Sequence, residues 1–331
     1  MNLRKSLIIT FGSMLALAAN ALPYSAEMLD AMGTDYIYGG VNETFETDAL
    51  CGDELFKGGN FDSWTTKTYT ESKLLGGKTV SMVKPASPWA VSNVYAKIAG
   101  IVKTNVSVYK DSHPGGGSCA KLYSHLVSCK VLGTVDVEVF AAGSIYTGSL
   151  SEPVTSASNP YGKLDFGTPF TKKPKAIKFD YKTQIVKGNR IKKGVGSKST
   201  VSGQDMCECV VILQKRTEDA KGNISAVRVG TMVKRFSSST GWVNGASFPI
   251  TYGDASKKGG YDSSSMGLMG KGGTQRCAKN KRGAIVPIKE TGWDGNATPT
   301  HIIIQFSSSH GGAYVGTVGN TMWVDNVKMV Y

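Results

Sequence analysis

F-A-A-G-S-I-Y-T-G-S-L (Phe140–Leu150), then a loop rich in Ser, Asn and Pro, then Y-G-K-L-D-F-G-T-P-F-T-K-K-P-K-A-I-K-F-D-Y-K (Tyr161–Lys182) is the stretch that decides the fold. From Ile177 to Tyr181 apolar and polar residues alternate, and a period of two marks a strand with one buried face. Pro169 and Pro174 punctuate the run, because proline lacks the ladder's N–H donor and fixes its own φ. Outward from this stretch the same signal recurs. Thr134–Phe140 alternates cleanly. Met206–Lys215 is apolar enough to be a central strand, with Cys207 and Cys209 on one face and Glu208 on the other. Further strands are expected over Thr65–Leu75, Thr79–Val83, Ala226–Phe236, Thr240–Ile250, His301–Ser307 and Thr321–Tyr331. Val91–Val108 reads equally as strands or a short helix. Gly188–Ser202 reads as an exposed loop or hairpin tip, and Tyr252–Gly295 as one long polar insertion between strands. The 40 glycines supply many turns between short strands. The expectation is an all-β chain, an antiparallel sandwich over residues 55–331 with an elaborated N-terminal region. A weak change of composition near 149–160 leaves two β domains as the alternative.

The chain opens with Arg4 and Lys5, an apolar run from Leu7 to Ala19, and Ala19-Asn20-Ala21, the pattern of a cleaved secretory signal over residues 1–21. No cysteine follows the expected cleavage point, so a lipid-bearing thiol is missing there. Residues 22–54 read as an N-terminal arm, and the expected address is periplasmic, cell-surface or secreted. No second apolar run approaches the ~18 residues of a spanning helix. The formal charge of +13 suits either plain solubility or an acidic partner such as an anionic glycan or nucleic acid. The basic clusters at Lys172–Lys175, Arg190–Lys193 and Lys279–Arg282 lack interleaved aromatics, and export argues further against nucleic acid. Cys51, Cys119, Cys129, Cys207, Cys209 and Cys277 could form three disulfides in about 15 pairings, with Cys119–Cys129 preferred, or remain buried thiols.

G-S-I-Y-T-G, F-G-x-P-F-x-x-x-P, I-I-I-Q-F-S-S-S-H-G-G and the final M-W-V-D-N-V-K-M-V-Y, in that order after F-K-G-G-N-F-D-S-W, resemble the bacterial secreted family called the putative carbohydrate metabolism domain, from about Leu55 to Tyr331. The resemblance implies a jelly-roll-like sandwich and a link to carbohydrate use, with no established reaction. The terminal V-D-N-V is similar to the last strand of jelly-roll carbohydrate-binding modules. That likeness implies a structural calcium on Asp325, with Asn60 and Asp62 as its nearest oxygen partners; the alternative is an Asp325 that only hydrogen-bonds a loop.

Chemistry-bearing patterns are sparse. G-x-S-x-G is absent, and His113, His125, His301 and His310 are scattered. The carboxylates Glu138, Glu152, Asp165, Asp180, Glu208 and Asp325 offer no evident pair for glycoside hydrolysis. Sugar recognition needs aromatic platforms flanked by polar groups. The candidates are Trp293 with Asp294 and Asn296, Trp242 with Asn244, and Tyr261, Arg276 and Trp89, while Trp64 and Trp323 are assigned to the core. The expected function is non-catalytic glycan or polysaccharide binding, with no cofactor beyond the calcium. The alternatives are an adhesive sandwich for cell-surface proteins and a polysaccharide hydrolase.

Overall fold

The computed structural model describes residues 52–98, 100–131, 135–154, 163–193, 198–312 and 314–331. The signal segment, most of the arm, Cys51 and half of the 149–160 boundary lie outside them.

Two large sheets stack face to face. The first runs in the order Val243–Pro249, Ala176–Gln184, Thr321–Val330, Ser118–Tyr123, Val108–Ser112, with Asp53–Leu55 added to Thr321–Val330. The second has ten strands and centres on His301–Ser307, Cys207–Glu218 and Ile224–Phe236. All pairings in both are antiparallel except Ile224–Phe236 with Ile285–Trp293. Ser144–Leu150 pairs with His301–Ser307, so strands from before and after the 149–160 boundary share a sheet.

Alternation explains what lies between the sheets. Ile177, Phe179, Met322 and Val324 from the first sheet meet Cys207, Cys209, Val211, Leu213, Ile302, Ile304 and Phe306 from the second in one buried cluster. Val210, Ile212 and Ile303 project the other way, into a second cluster covered by Val139, Met269, Ala278 and Ile288. The Cys207–Gln214 part of Cys207–Glu218 is therefore buried on both faces, which is why it reads as a continuous apolar run.

Several expectations are corrected. Val94–Ile98 and Ile101–Asn105 form a hairpin, which settles the ambiguous segment as strands. The Tyr252–Gly295 insertion is not one loop, since Cys277–Lys279 and Ile285–Trp293 join the second sheet. Gly188–Ser202 includes a strand pair, Asn189–Lys193 with Lys198–Gln204. Cys119, Cys207, Cys209 and Cys277 are buried free thiols, so the preferred Cys119–Cys129 bridge is not formed.

Candidate functional site

The register of the first sheet builds a row across its outer face. Lys182 pairs with Trp323, Trp323 with Lys121, and Lys121 with Tyr109, on four neighbouring strands. The inward neighbours Met322, Val324 and Leu122 go to the core, so these four point outward. Lys182 Nζ lies 4.6 Å and Lys121 Nζ 5.4 Å from the Trp323 ring centroid. Such cation–π contacts are worth about 0.5–1 kcal/mol each at an exposed site. Trp323 is half-buried and Tyr109 is 38% exposed. Trp323, which the sequence assigns to the core, therefore stands outside it, because Met322 and Val324 on either side of it take the inner face.

Trp323 Nε1 donates to Asp111 Oδ2 at 2.9 Å, which fixes the indole. Burial alone raises the Asp111 carboxyl; the bonds from Trp323 and Ser112 and the nearby Lys121 and Lys182 outweigh it and hold the group below the usual range. Asp111 also lines an open cleft of about 520 Å³, with Asp62, Lys110, Ser112, Gly117 and Ser118. Platform and cleft thus share one carboxylate.

Along the same face, two residues on from Lys182 and Trp323, lies a buried acidic pair. Asp180 and Asp325 are cross-strand partners. Between Lys178 and Asp180 the register slips, and Asn326 takes a left-handed φ of 50°. This bulge puts Val324 and Val327 on the same inner face, where strict alternation would place Val327 with Trp323 and Asp325. Asp180 accepts from Gly245 N at 2.5 Å and Asn326 Nδ2 at 2.8 Å. Asp325 Oδ2 lies 3.1 Å from His113 Nδ1, and the His113 ring packs on Trp242 at 4.2 Å. Burial pushes the Asp325 carboxyl up to about 7; Asp180 and Asp62 add to this against the bond from Asn326 N.

The calcium expectation does not fit these donors. Asn60 turns its amide nitrogen to Asp62 Oδ2 at 2.8 Å, and Asp62 Oδ1 accepts from Ser118 N at 2.9 Å. Asp325 Oδ1 accepts from Asn326 N, and Oδ2 faces His113. Calcium needs six to eight oxygens free to turn towards it. Among the described residues no three His, Cys, Asp or Glu are arranged to hold a metal.

The other sequence candidates are dispersed. Trp242 and Asn244 stand at the edge of the first sheet, near His113 and Asp180. Trp293 ends a strand of the second sheet, half-buried with its ring 5.4 Å from the Arg228 guanidinium carbon. Asp294 and Asn296 form an exposed turn in which Asp294 Oδ1 accepts from Asn296 N. Tyr261 is half-buried just before the short helix Ser263–Met266. Two candidates are corrected outright. Trp89 is 0% exposed, between Phe56, Phe61 and Phe306, with Nε1 on Lys57 O at 3.0 Å. Arg276 is buried with its guanidinium on Gln305 Oε1 at 2.9 Å, and burial lowers it to about 10. Neither has a face left for a sugar.

A Ser-His-Asp reading also fails. Ser309 Oγ and His310 Nδ1 both lie on Asp205 Oδ1, at 2.9 and 3.0 Å. A nucleophile must sit on the imidazole, not beside it on the carboxylate. With Thr317 N on Asp205 Oδ2, the group clamps the 309–317 loop.

Fold and surface together define an all-β sandwich with an open face of alternating cations and aromatics. The chain belongs to the family described as putative carbohydrate metabolism domain, which matches residues 60–330. Two solved structures are similar in fold. One, a putative glycoside hydrolase from Bacteroides thetaiotaomicron, is 19% identical, with 86% of this chain and 72% of that chain covered at a TM-score of 0.46. The other, a putative glycoside hydrolase from Bacteroides vulgatus, is 15% identical, with 84% and 97% covered at 0.46. No curated protein matches.

Proposed function

We propose that this is an exported, non-catalytic carbohydrate-binding protein whose ligand lies on the Trp323 face. The observation that carries the reading is the row Lys182–Trp323–Lys121–Tyr109 on an open sheet surface, beside a polar cleft. Indole and phenol rings offer the flat apolar area on which a sugar's C–H face stacks, and Asp111, Asp62 and Ser112 supply hydroxyl partners. Membership of a family named for carbohydrate metabolism supports the ligand class.

The hydrolase alternative draws on the Asp180–Asp325 pair, where one carboxyl is raised to about 7. Both acids are buried, Asp325 behind His113, and both oxygens of Asp180 are engaged. A glycosidic bond has no route to them, so binding is the better reading.

The test is a glycan array with the chain lacking residues 1–21 and its Trp323→Ala variant. The variant loses the signal of every glycan the parent retains, while Tm falls by only a few degrees because the ring is half-exposed. Undiminished binding by the variant removes Trp323 from the site. Release of reducing ends from a bound polymer reinstates the hydrolase.

A further inference from the structure

We propose that the ligand of the Trp323 face is an acidic glycan bearing uronic-acid carboxylates. The inference rests on the carbohydrate-binding reading and adds the charge of the sugar. Its basis is where the lysines stand. Both Lys182 and Lys121 hold their ammonium groups over the indole, where a sugar ring would stack. A neutral sugar must push both aside and offers only hydroxyl oxygens in exchange. An anionic sugar lets each lysine swing from the ring face to its rim and meet a carboxylate there. The contact with the ring is replaced by a charge-assisted hydrogen bond, the stronger of the two.

Neither lysine is held in a short ion pair. Among the described residues Lys182 has no ion-pair partner, and Lys121 meets Asp111 only at 4.0 Å. Lys178 on the same face is different: it is held 2.6 Å from Asp53 and takes no part. Lys110 adds a third cation on the cleft wall. The face carries acids too. Asp111 and Asp62 line the cleft, and Asp180 and Asp325 lie buried further along the face. This mixture selects the kind of anion. A densely sulfated chain brings several charges per disaccharide against Asp111 and Asp62. A uronate chain carries one charge per acidic residue and leaves hydroxyls for those carboxylates to accept. The excess of 38 Lys and Arg over 25 Asp and Glu favours the approach of such a polymer.

The experiment measures binding of the same chain to polygalacturonate, its carboxyl-reduced neutral counterpart and dextran sulfate, at low and high salt. The parent binds polygalacturonate best, loses about tenfold or more on carboxyl reduction, and weakens as salt rises. Lys121→Gln with Lys182→Gln loses about tenfold for polygalacturonate and binds the neutral polymer no worse than the parent. Equal affinity for the neutral polymer, or full retention by the double variant, overturns the charge inference. Tighter binding to dextran sulfate overturns the choice of uronate. Trp323→Ala separates the two levels: if it abolishes binding while the lysine variant does not, the sugar-binding face stands and only its charge preference falls. Failure of the parent to bind any of the three polymers overturns the uronate proposal, and the array decides the broader one.

Discussion

At the scale of single residues, Asp325 is the group whose chemistry depends most on its neighbours. Its carboxyl ordinarily titrates near 3.8, and burial raises it to about 7 beside Asp180, Asp62 and His113. The folded state therefore holds this proton more tightly than the unfolded chain. The associated stability is complete below the unfolded pKa and is lost as pH rises towards 7. Asp325→Asn has no proton to lose, so its unfolding free energy should fall less than the parent's between pH 5 and 8. Over that range the difference is at most about 3 kcal/mol and is read from denaturant curves at each pH. Parallel curves for the two proteins would mean the carboxyl is not perturbed. Glu290 is a different case. It takes Arg228 Nε at 2.7 Å and Nη2 at 2.6 Å, and also accepts from Gln214 and Met269 N. Arg228 is 1% exposed. Glu290→Ala leaves that cation buried and unpaired and should cost about 3–5 kcal/mol, measured by urea unfolding. Single letters disclosed neither case, because both depend on partners more than 60 positions away.

At the scale of elements, the bulge in Thr321–Val330 decides how the site is built. Asn326 stands at φ 50°, where asparagine and glycine are tolerated and β-branched residues are not. Its side chain also donates to Asp180. Asn326→Val should cost about 2–3 kcal/mol and shift the Asp325 and Trp323 side chains. Asn326→Gly should lose only the hydrogen bond, about 1 kcal/mol. Equal losses for both would show that backbone strain plays no part. The V-D-N-V letters mark a strand, but alternation continued through Asn326 would put Val327 on the wrong face. The strand Cys207–Glu218 needed no such correction: both its faces are buried from Cys207 to Gln214, and Cys207 and Cys209 lie together in the core as their spacing indicated.

At the scale of the molecule, two sheets bury the thiols between them and beneath the covering loops. Burial pushes Cys119 up to about 12 and Cys277 to about 11, and raises Cys207 and Cys209 well above the ordinary range. A thiol held protonated and out of reach does not alkylate. Iodoacetamide should leave the peptides with these four cysteines unmodified in the native protein and label all four in denaturant, as read by mass spectrometry. Rapid native labelling of Cys207 or Cys209 would contradict a closed sandwich. The sequence by itself determined the all-β class, the family, the central strand and most strand positions, because side-chain alternation and turn chemistry are local properties. Tertiary structure alone decided that Trp89 and Arg276 are buried and that Trp323 stands open between Lys182 and Lys121. Those outcomes follow from which strands pair and in what register. Residues 62, 111, 121, 182 and 323 become one surface only when separate stretches of chain are hydrogen-bonded side by side.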